Sequence, residues 1–410
     1  MTPQTSVLRA RWVFPVDRPP IENGVVEIAD GRIIDIRPAD RFSPLTGPEE
    51  QRALIPGLVN AHTHLEFSEL ATPLPADSTF SEWIRSIVQY RRARTTPVPD
   101  IVQAGLAESA AAGVTTIGEI VTAGWTAAPF TPEMPRAVGF REAIALDPSF
   151  IAAINETVSR HLQDLTGHVS LIGGISPHAP YSVVPQLFRD LVDCARATKA
   201  PLAVHLAETH DELELLANGS GPLVDLFSES GFWRPDAIPR GTRPLDYLRL
   251  IETLPRALVI HGNYLTAEEC DFLTGKPNLT VVYCPRTHAH FRHEPHPWLE
   301  LQKRGVRVAL GTDSRASNPD LSLWNEVLFL RSRFPQVAPA HLLELATRAG
   351  AAALGLDQRI GTLAPGKAAD VTVLQLVDDN RSDPHERLLD PNTRPIGALR
   401  DGRRICSPAD

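Results

Sequence analysis

Leu54-Ile55-Pro56-Gly57-Leu58-Val59-Asn60-Ala61-His62-Thr63-His64 is a short apolar run that ends in two imidazoles. Such a run suits a strand covered on both faces, and its polar end marks where the strand emerges from the core. Seven further runs repeat the pattern: VTTIGEI (114–120), AVGFREA (137–143), VSLIGGISPHA (169–179), PLAVHLAE (201–208), ALVIHGN (257–263), LTVVYCPRTH (279–288) and VRVALGTDS (306–314). Segments 81–112, 183–199, 266–275, 296–304 and 339–354 carry apolar residues at helical spacing. Eight strand-then-helix units predict an α/β fold, a parallel sheet closed as a (β/α)8 TIM-like barrel with its catalytic groups at the C-terminal strand ends. His62, His64, Glu119, Arg141, His178, His205, Glu208, His261, Arg286, His288 and Asp313 all fall at such ends.

The two ends of the chain read differently. Residues 1–54 and 360–410 contain strand-and-turn text with Asp30-Gly31 and Asp401-Gly402 as hairpin signals, and are expected to form one composite β-sandwich domain beside a barrel of residues 55–359. The stretch 218–246, rich in Gly, Pro and Trp, interrupts the barrel units either as a loop over the mouth or as an ordinary packed excursion.

Hydrophobic residues make up 43% and charged residues 22% of the 410, which fits a soluble globular chain and excludes disordered and fibrous classes. The net charge of −9, with no basic stripe, argues against a nucleic-acid polymer as partner. No segment reads as a signal peptide or a membrane span, so a cytoplasmic location without membrane association is expected. Cys194, Cys270, Cys284 and Cys406 lack the spacing of a disulfide framework or a thiolate metal site.

His62 and His64 stand two apart at a strand end, project to the same side and can share one ion. His205 ends another strand. Three imidazoles, a carboxylate from Asp313 and an open position for water make a catalytic rather than a structural site for one divalent ion, with Zn2+ the first choice and Fe2+ or Mn2+ accepted by the same ligands. A lone histidine is more often a packed or surface residue, and Asp313 also suits the N-cap of the segment that follows it.

The motif Pro56-Gly57-Leu58-Val59-Asn60-Ala61-His62-Thr63-His64 resembles the first-strand signature of the amidohydrolase superfamily. His205-Leu206-Ala207-Glu208-Thr209, His261-Gly262-Asn263, Cys284-Pro285-Arg286 and Gly311-Thr312-Asp313-Ser314 follow in the order of its cytosine deaminase-like and chlorohydrolase-like branch. Gly361 to Asp370 is similar to the segment by which such chains re-enter the terminal domain, so the resemblance spans nearly the whole sequence. No lysine ends a barrel strand to bridge a metal pair, which leaves a mononuclear site with His178 free to bind substrate.

The resemblance implies a hydrolase acting on a carbon–nitrogen bond: a deaminase releasing ammonia from an amino-substituted N-heterocycle or a purine nucleoside. In that mechanism Asp313 takes the proton of the attacking water, Glu208 protonates the ring nitrogen, and His261 orients the water or joins the ligands. Glu208 otherwise reads as half of an ordinary ion pair. Glu66 and Trp83 match substrate contacts of the branch, against plain readings as a solvated carboxylate and a core aromatic. Glu119 and Arg141 either read polar groups of the substrate or brace the barrel as a pair. The histidine-rich run THAHFRHEPHPW (287–298) offers His288 and His290 as pocket contacts. HTHLE and CPR-Thr-His further resemble deaminases acting on aminodeoxyfutalosine or related adenine nucleosides. Dechlorination of a triazine, opening of a cyclic amide, and a non-catalytic scaffold are the alternatives, and a homodimer is the protein partner that the family suggests.

Overall fold

A computed structural model describes residues 5–40, 45–76, 79–377 and 381–405; Cys406 lies outside them. Eight parallel strands form one sheet in chain order: β5 (Leu58–Thr63), β6 (Val114–Val121), β7 (Arg136–Ala143), β8 (Leu171–Pro177), β9 (Leu202–Leu206), β10 (Ala257–His261), β11 (Leu279–Tyr283) and β12 (Arg307–Leu310). Each predicted run holds one of them. The period of two is visible in β9, where Leu202, Val204 and Leu206 pack in the large core that includes the surrounding helices. Ala203 joins the separate inner cluster, and His205, two residues on, follows it onto that face.

The barrel closes between its first and last strands largely through side chains. Asn60 Nδ2 donates to Thr312 Oγ1 (2.7 Å), its Oδ1 accepts from the Thr312 amide (3.1 Å), and the Asp313 amide donates to the His62 carbonyl (3.1 Å). The seam therefore passes through the residues that carry the predicted ligands.

The termini meet in a second sheet of seven strands, in the order β15 (Arg403–Ile405), β14 (Arg394–Arg400), β13 (Val371–Gln375), β4 (Arg52–Pro56), β1 (Thr5–Val13), β2 (Ile21–Ala29), β3 (Arg32–Pro38). As expected, both termini build this one β-rich domain; its strands share one continuous hydrogen-bonded order, with β1 pairing with β2 on one side and with β4 on the other. The opening motif is divided between the two sheets: β4 ends at Pro56, β5 begins at Leu58, and Gly57 makes the crossing. A Cβ on Gly57 would lie 2.2 Å from Thr115 Oγ1, so only glycine fits there. Arg136, buried at the start of β7, ties the sheets together through ion pairs to Asp370 and Asp401.

The predicted helix 81–112 is two helices, α1 (Phe80–Ala93) and α2 (Val98–Ala111), separated by a turn ending in Pro97. Proline disfavours helical conformation in the residue before it, which accounts for the break. Thr79 caps α1 by accepting from the Glu82 amide, and Arg91 and Arg92 occupy its last turn, where cations suit the helix dipole. The 218–246 stretch contains the helix Pro222–Glu229, which packs over the barrel mouth through Phe227. None of the described helices is long and apolar enough to cross a membrane.

Candidate active site

The strand ends bring four histidines and an aspartate together. His64 Nε2 lies 3.3 Å from His205 Nε2, and Asp313 Oδ1 lies 3.5 Å from His62 Nε2 and 3.6 Å from His64 Nε2. Two nitrogens each about 2.0–2.1 Å from one tetrahedral ion stand about 3.3 Å apart. His62, His64 and Asp313 form one such group and His62, His205 and His261 another, each with its ligand atoms within 4.8 Å of one another. His62 Nε2 is buried without a hydrogen-bond partner, an orphaned donor-acceptor that an ion would satisfy. The residues fit a divalent ion.

The surroundings tune these groups for ligation. The His205 Nδ1–H donates to the His178 carbonyl (3.0 Å), which leaves the Nε2 lone pair facing His64. Burial, and then the neighbouring imidazoles, hold His64 and His205 well below the ordinary histidine value, so they are neutral, as ligands must be. Burial alone would raise Asp313, but the nearby imidazoles of His62 and His261 and the hydrogen bond from Ser317 keep it below the usual carboxylate range. Ala207, His261 and Asp313 all have left-handed backbone (φ +53, +66 and +59), strain of the kind that collects at working sites when the packing around it is strong enough to hold it.

Glu208 completes the floor. Its Oε1 lies 3.3 Å from His261 Nε2. Burial, reinforced by the charges of Asp313 and Glu212, pushes its carboxyl well above the ordinary range and so favours its protonated form. Glu212 fixes the turn that presents it by accepting from the amides of Ala207 (3.0 Å) and Glu208 (2.8 Å).

Above this floor opens a cavity of about 730 Å³, lined by His64, His178, His205, Glu208, His261 and Asp313 below and by Phe67, Phe80, Trp83, Tyr181 and Phe227 on its walls. Trp83 stacks on Phe80 (centroids 5.6 Å) and donates from Nε1 to the Ala316 carbonyl (3.3 Å). His178 shares a hydrogen bond with Ser182 (2.7 Å) at the rim of the ligand cluster.

Several expected contacts lie elsewhere. Glu66 does not line the cavity; its carboxylate is held by Arg91 (2.6 Å) and Arg94 (3.1 Å) and so sets Arg91 against the cavity wall. Glu119 is fully buried and accepts from Thr63 Oγ1 (2.6 Å) and the Leu65 amide (3.1 Å), bracing β5 to β6 without an arginine. Arg141 points beside the cavity and donates to the Thr122 carbonyl (2.9 Å). His288 and His290 donate to the carbonyls of Glu294 (2.8 Å) and Leu74 (2.9 Å) and do not line the cavity. Arg286 grips Asp320 and Glu326 behind the site.

Arg91 and Glu142 do line the cavity, and sequence reasoning missed both. The basic end of α1 reads as a solvated helix terminus, and Glu142 is overshadowed by the neighbouring Arg141. Burial raises the Glu142 carboxyl to about 7, with Arg91 opposing the shift. Between the ordinary carboxylate value and about 7 the folded chain keeps a proton that the unfolded chain has released, so stability falls as pH rises through that window. Glu142→Gln removes this penalty. Its melting temperature is expected to exceed that of the parent at pH 8 and to differ little at pH 5; thermal unfolding at both values checks this, and equal curves at pH 8 would contradict it.

The family model described as the amidohydrolase family matches residues 53–405. A 5-methylthioadenosine/S-adenosylhomocysteine deaminase from Desulfovibrio desulfuricans is 28% identical over 93% of this chain and 86% of its own length. An aminodeoxyfutalosine deaminase from Deinococcus radiodurans is 30% identical over 77% of each chain. The solved structure of Helicobacter pylori aminofutalosine deaminase in complex with methylthio-coformycin superimposes with a TM-score of 0.82 at 23% identity, covering 97% of this chain and 99% of that one. A barrel with its histidines and aspartate gathered at the strand ends, matched along nearly its whole length by one family model, belongs to the amidohydrolase family.

Proposed function

We propose that the protein is a metal-dependent deaminase that releases ammonia from an amino-substituted N-heterocycle, with an adenine-type nucleoside as the favoured substrate. The observation that carries the reading is the place of Glu208, a buried carboxyl 3.3 Å from His261 Nε2 on the floor of a cavity that also holds the ligand cluster. His62, His64, His205 and Asp313 hold one divalent ion, zinc first and iron or manganese as alternatives. When bound, that ion lowers the pKa of water into the neutral range.

Asp313, with its Oδ2 fixed by the Ser317 hydroxyl (2.8 Å), accepts a proton from the attacking water. Glu208 gives its proton to the ring nitrogen next to the carbon under attack, so that the ring accepts the electron pair; Asp313 then passes the proton it took from the water to the amino group, which leaves as ammonia. His261, beside Glu208, stabilises the charge that develops at that carbon. The aromatic walls at Phe80, Trp83 and Phe227 suit a flat ring and its substituent, while His178 and Arg91 offer polar contacts. The acidic chain supports a small-molecule substrate rather than a nucleic-acid polymer, and the reading assigns the enzyme to the cytoplasm.

The test is ammonia release across aminopurine nucleosides, free aminopurines, pterins and aminopyrimidines by the zinc-loaded protein. Chelation is expected to abolish turnover and lower the melting temperature, and one equivalent of zinc is expected to restore both. A fully metallated protein that is silent on every amine would overturn the reading and favour dechlorination or cyclic-amide hydrolysis.

A further inference from the structure

The histidine-rich segment after β11 reaches the active site by a route its sequence conceals. His296 is buried, and the Trp298 amide donates to its Nδ1 (2.9 Å). That bond occupies the Nδ1 lone pair and sets the ring proton on Nε2. The Nε2–H in turn donates to the backbone carbonyl of His261 (2.8 Å). The ring lies flat on Tyr283, the last residue of β11, with centroids 4.0 Å apart and planes 23° apart, and Tyr283 faces Trp298 in the same stack. Tautomer, position and plane of His296 are all fixed by its neighbours.

What His296 holds is the strained end of β10. His261 and Gly262 are successive left-handed residues (φ +66 and +64), and this turn carries the His261 ring to within 3.3 Å of Glu208. A non-glycine residue keeps such a conformation only when its surroundings enforce it. The amides of Gly262 (3.1 Å) and Tyr264 (2.9 Å) tie the turn to the carbonyls of Leu206 and Ala207. On the other side the His261 carbonyl is held by His296.

We propose that His296 is a positioning residue for catalysis, which locks the backbone of His261 and thereby aims its imidazole at Glu208 and the reacting carbon. The inference rests on the role given to His261 in the proposed function. An imidazole suits the task because one rigid ring accepts from Trp298 and donates to His261 at once. His288 and His290, from the same segment, spend their ring N–H groups on Glu294 and Leu74 away from the cavity. The working member of the run is therefore the one whose partner belongs to the reaction centre.

Three variants test this. His296→Phe keeps a flat ring on Tyr283 and loses both polar bonds. His296→Gln places an amide N–H near the lost Nε2, and His296→Asn places an acceptor near the lost Nδ1. With wild-type zinc content, kcat of the Phe variant is expected to fall on the order of 10- to 100-fold with KM little changed, the scale of misaligning a reacting group or removing its supporting contact. The Gln variant is expected to recover most of the loss and the Asn variant little. Amide exchange of residues 257–265, read by mass spectrometry, is expected to speed up in the Phe and Asn variants and to stay slow in the Gln variant. Full activity of the Phe variant with unchanged exchange would overturn the proposal, and so would rescue by Asn but not Gln, which would confine His296 to its own turn. If the wild-type enzyme deaminates nothing, the proposed function fails while the exchange pattern still reads the contact to His261.

Discussion

Glu208→Gln is expected to leave a folded protein with its full metal content and to reduce ammonia release by about 10²- to 10⁴-fold, the usual contribution of a positioned general acid. The amide matches the carboxyl in size and can still meet His261 Nε2, so neither packing nor the ligand cluster is disturbed. What it lacks is a proton to give. The predicted signature is a large loss in kcat alongside unchanged zinc and a melting temperature no lower than the parent's, because burial raises the Glu208 carboxyl as it does that of Glu142. Retention of full ammonia release would show that the ring nitrogen needs no proton from Glu208 and would overturn its assignment as the general acid.

The second large effect lies far from the chemistry. Arg136 is buried and donates to both oxygens of Asp370, to Asp401 Oδ2 (2.9 Å) and to Thr116 Oγ1 (3.2 Å). Asp370 also accepts from the Asp401 amide (2.9 Å), and its carbonyl accepts from the Gly57 amide (2.9 Å). Asp370→Ala leaves a guanidinium in the interior with part of its charge uncompensated, and is expected to cost about 3–5 kcal/mol of stability. The double variant Arg136→Met/Asp370→Leu removes the charge and its partner together and is expected to recover most of that loss. Urea unfolding of the three proteins measures both, and a single-variant cost under about 1 kcal/mol would show that water or Asp401 replaces the partner.

The barrel and the grouping of its histidines were legible because both depend on local periodicity. A period of two places His62 with His64, and a strand that ends in polar residues announces its own C-terminal edge. Partners supplied by distant chain were not legible. Glu119 sits at a strand end like the ligands, yet the Thr63 hydroxyl and the Leu65 amide claim it. Glu66 falls two residues after His64, and only the folding of α1 back over the mouth shows that Arg91 and Arg94 hold it. His296 reads like its neighbours in the run, and its importance comes from a carbonyl thirty-five residues earlier. The opening motif, read as one strand, serves two sheets because Gly57 lets the chain turn against Thr115.

That division has a cost during synthesis. β4 takes β13 as a neighbour, and the start of the barrel seam waits for Thr312 and Asp313, so both halves of the motif lack these partners until more than 250 further residues have been made. At ribosomal speeds of about 5–20 residues per second the wait is on the order of tens of seconds. Throughout it Leu54, Ile55, Leu58 and Val59, all buried in the finished protein, belong to a nascent chain without that cover. The segment that organises the finished enzyme is thus open to mispairing and chaperone capture while it waits, and slowing the ribosome downstream of it is expected to lower the yield of active protein without changing a single residue.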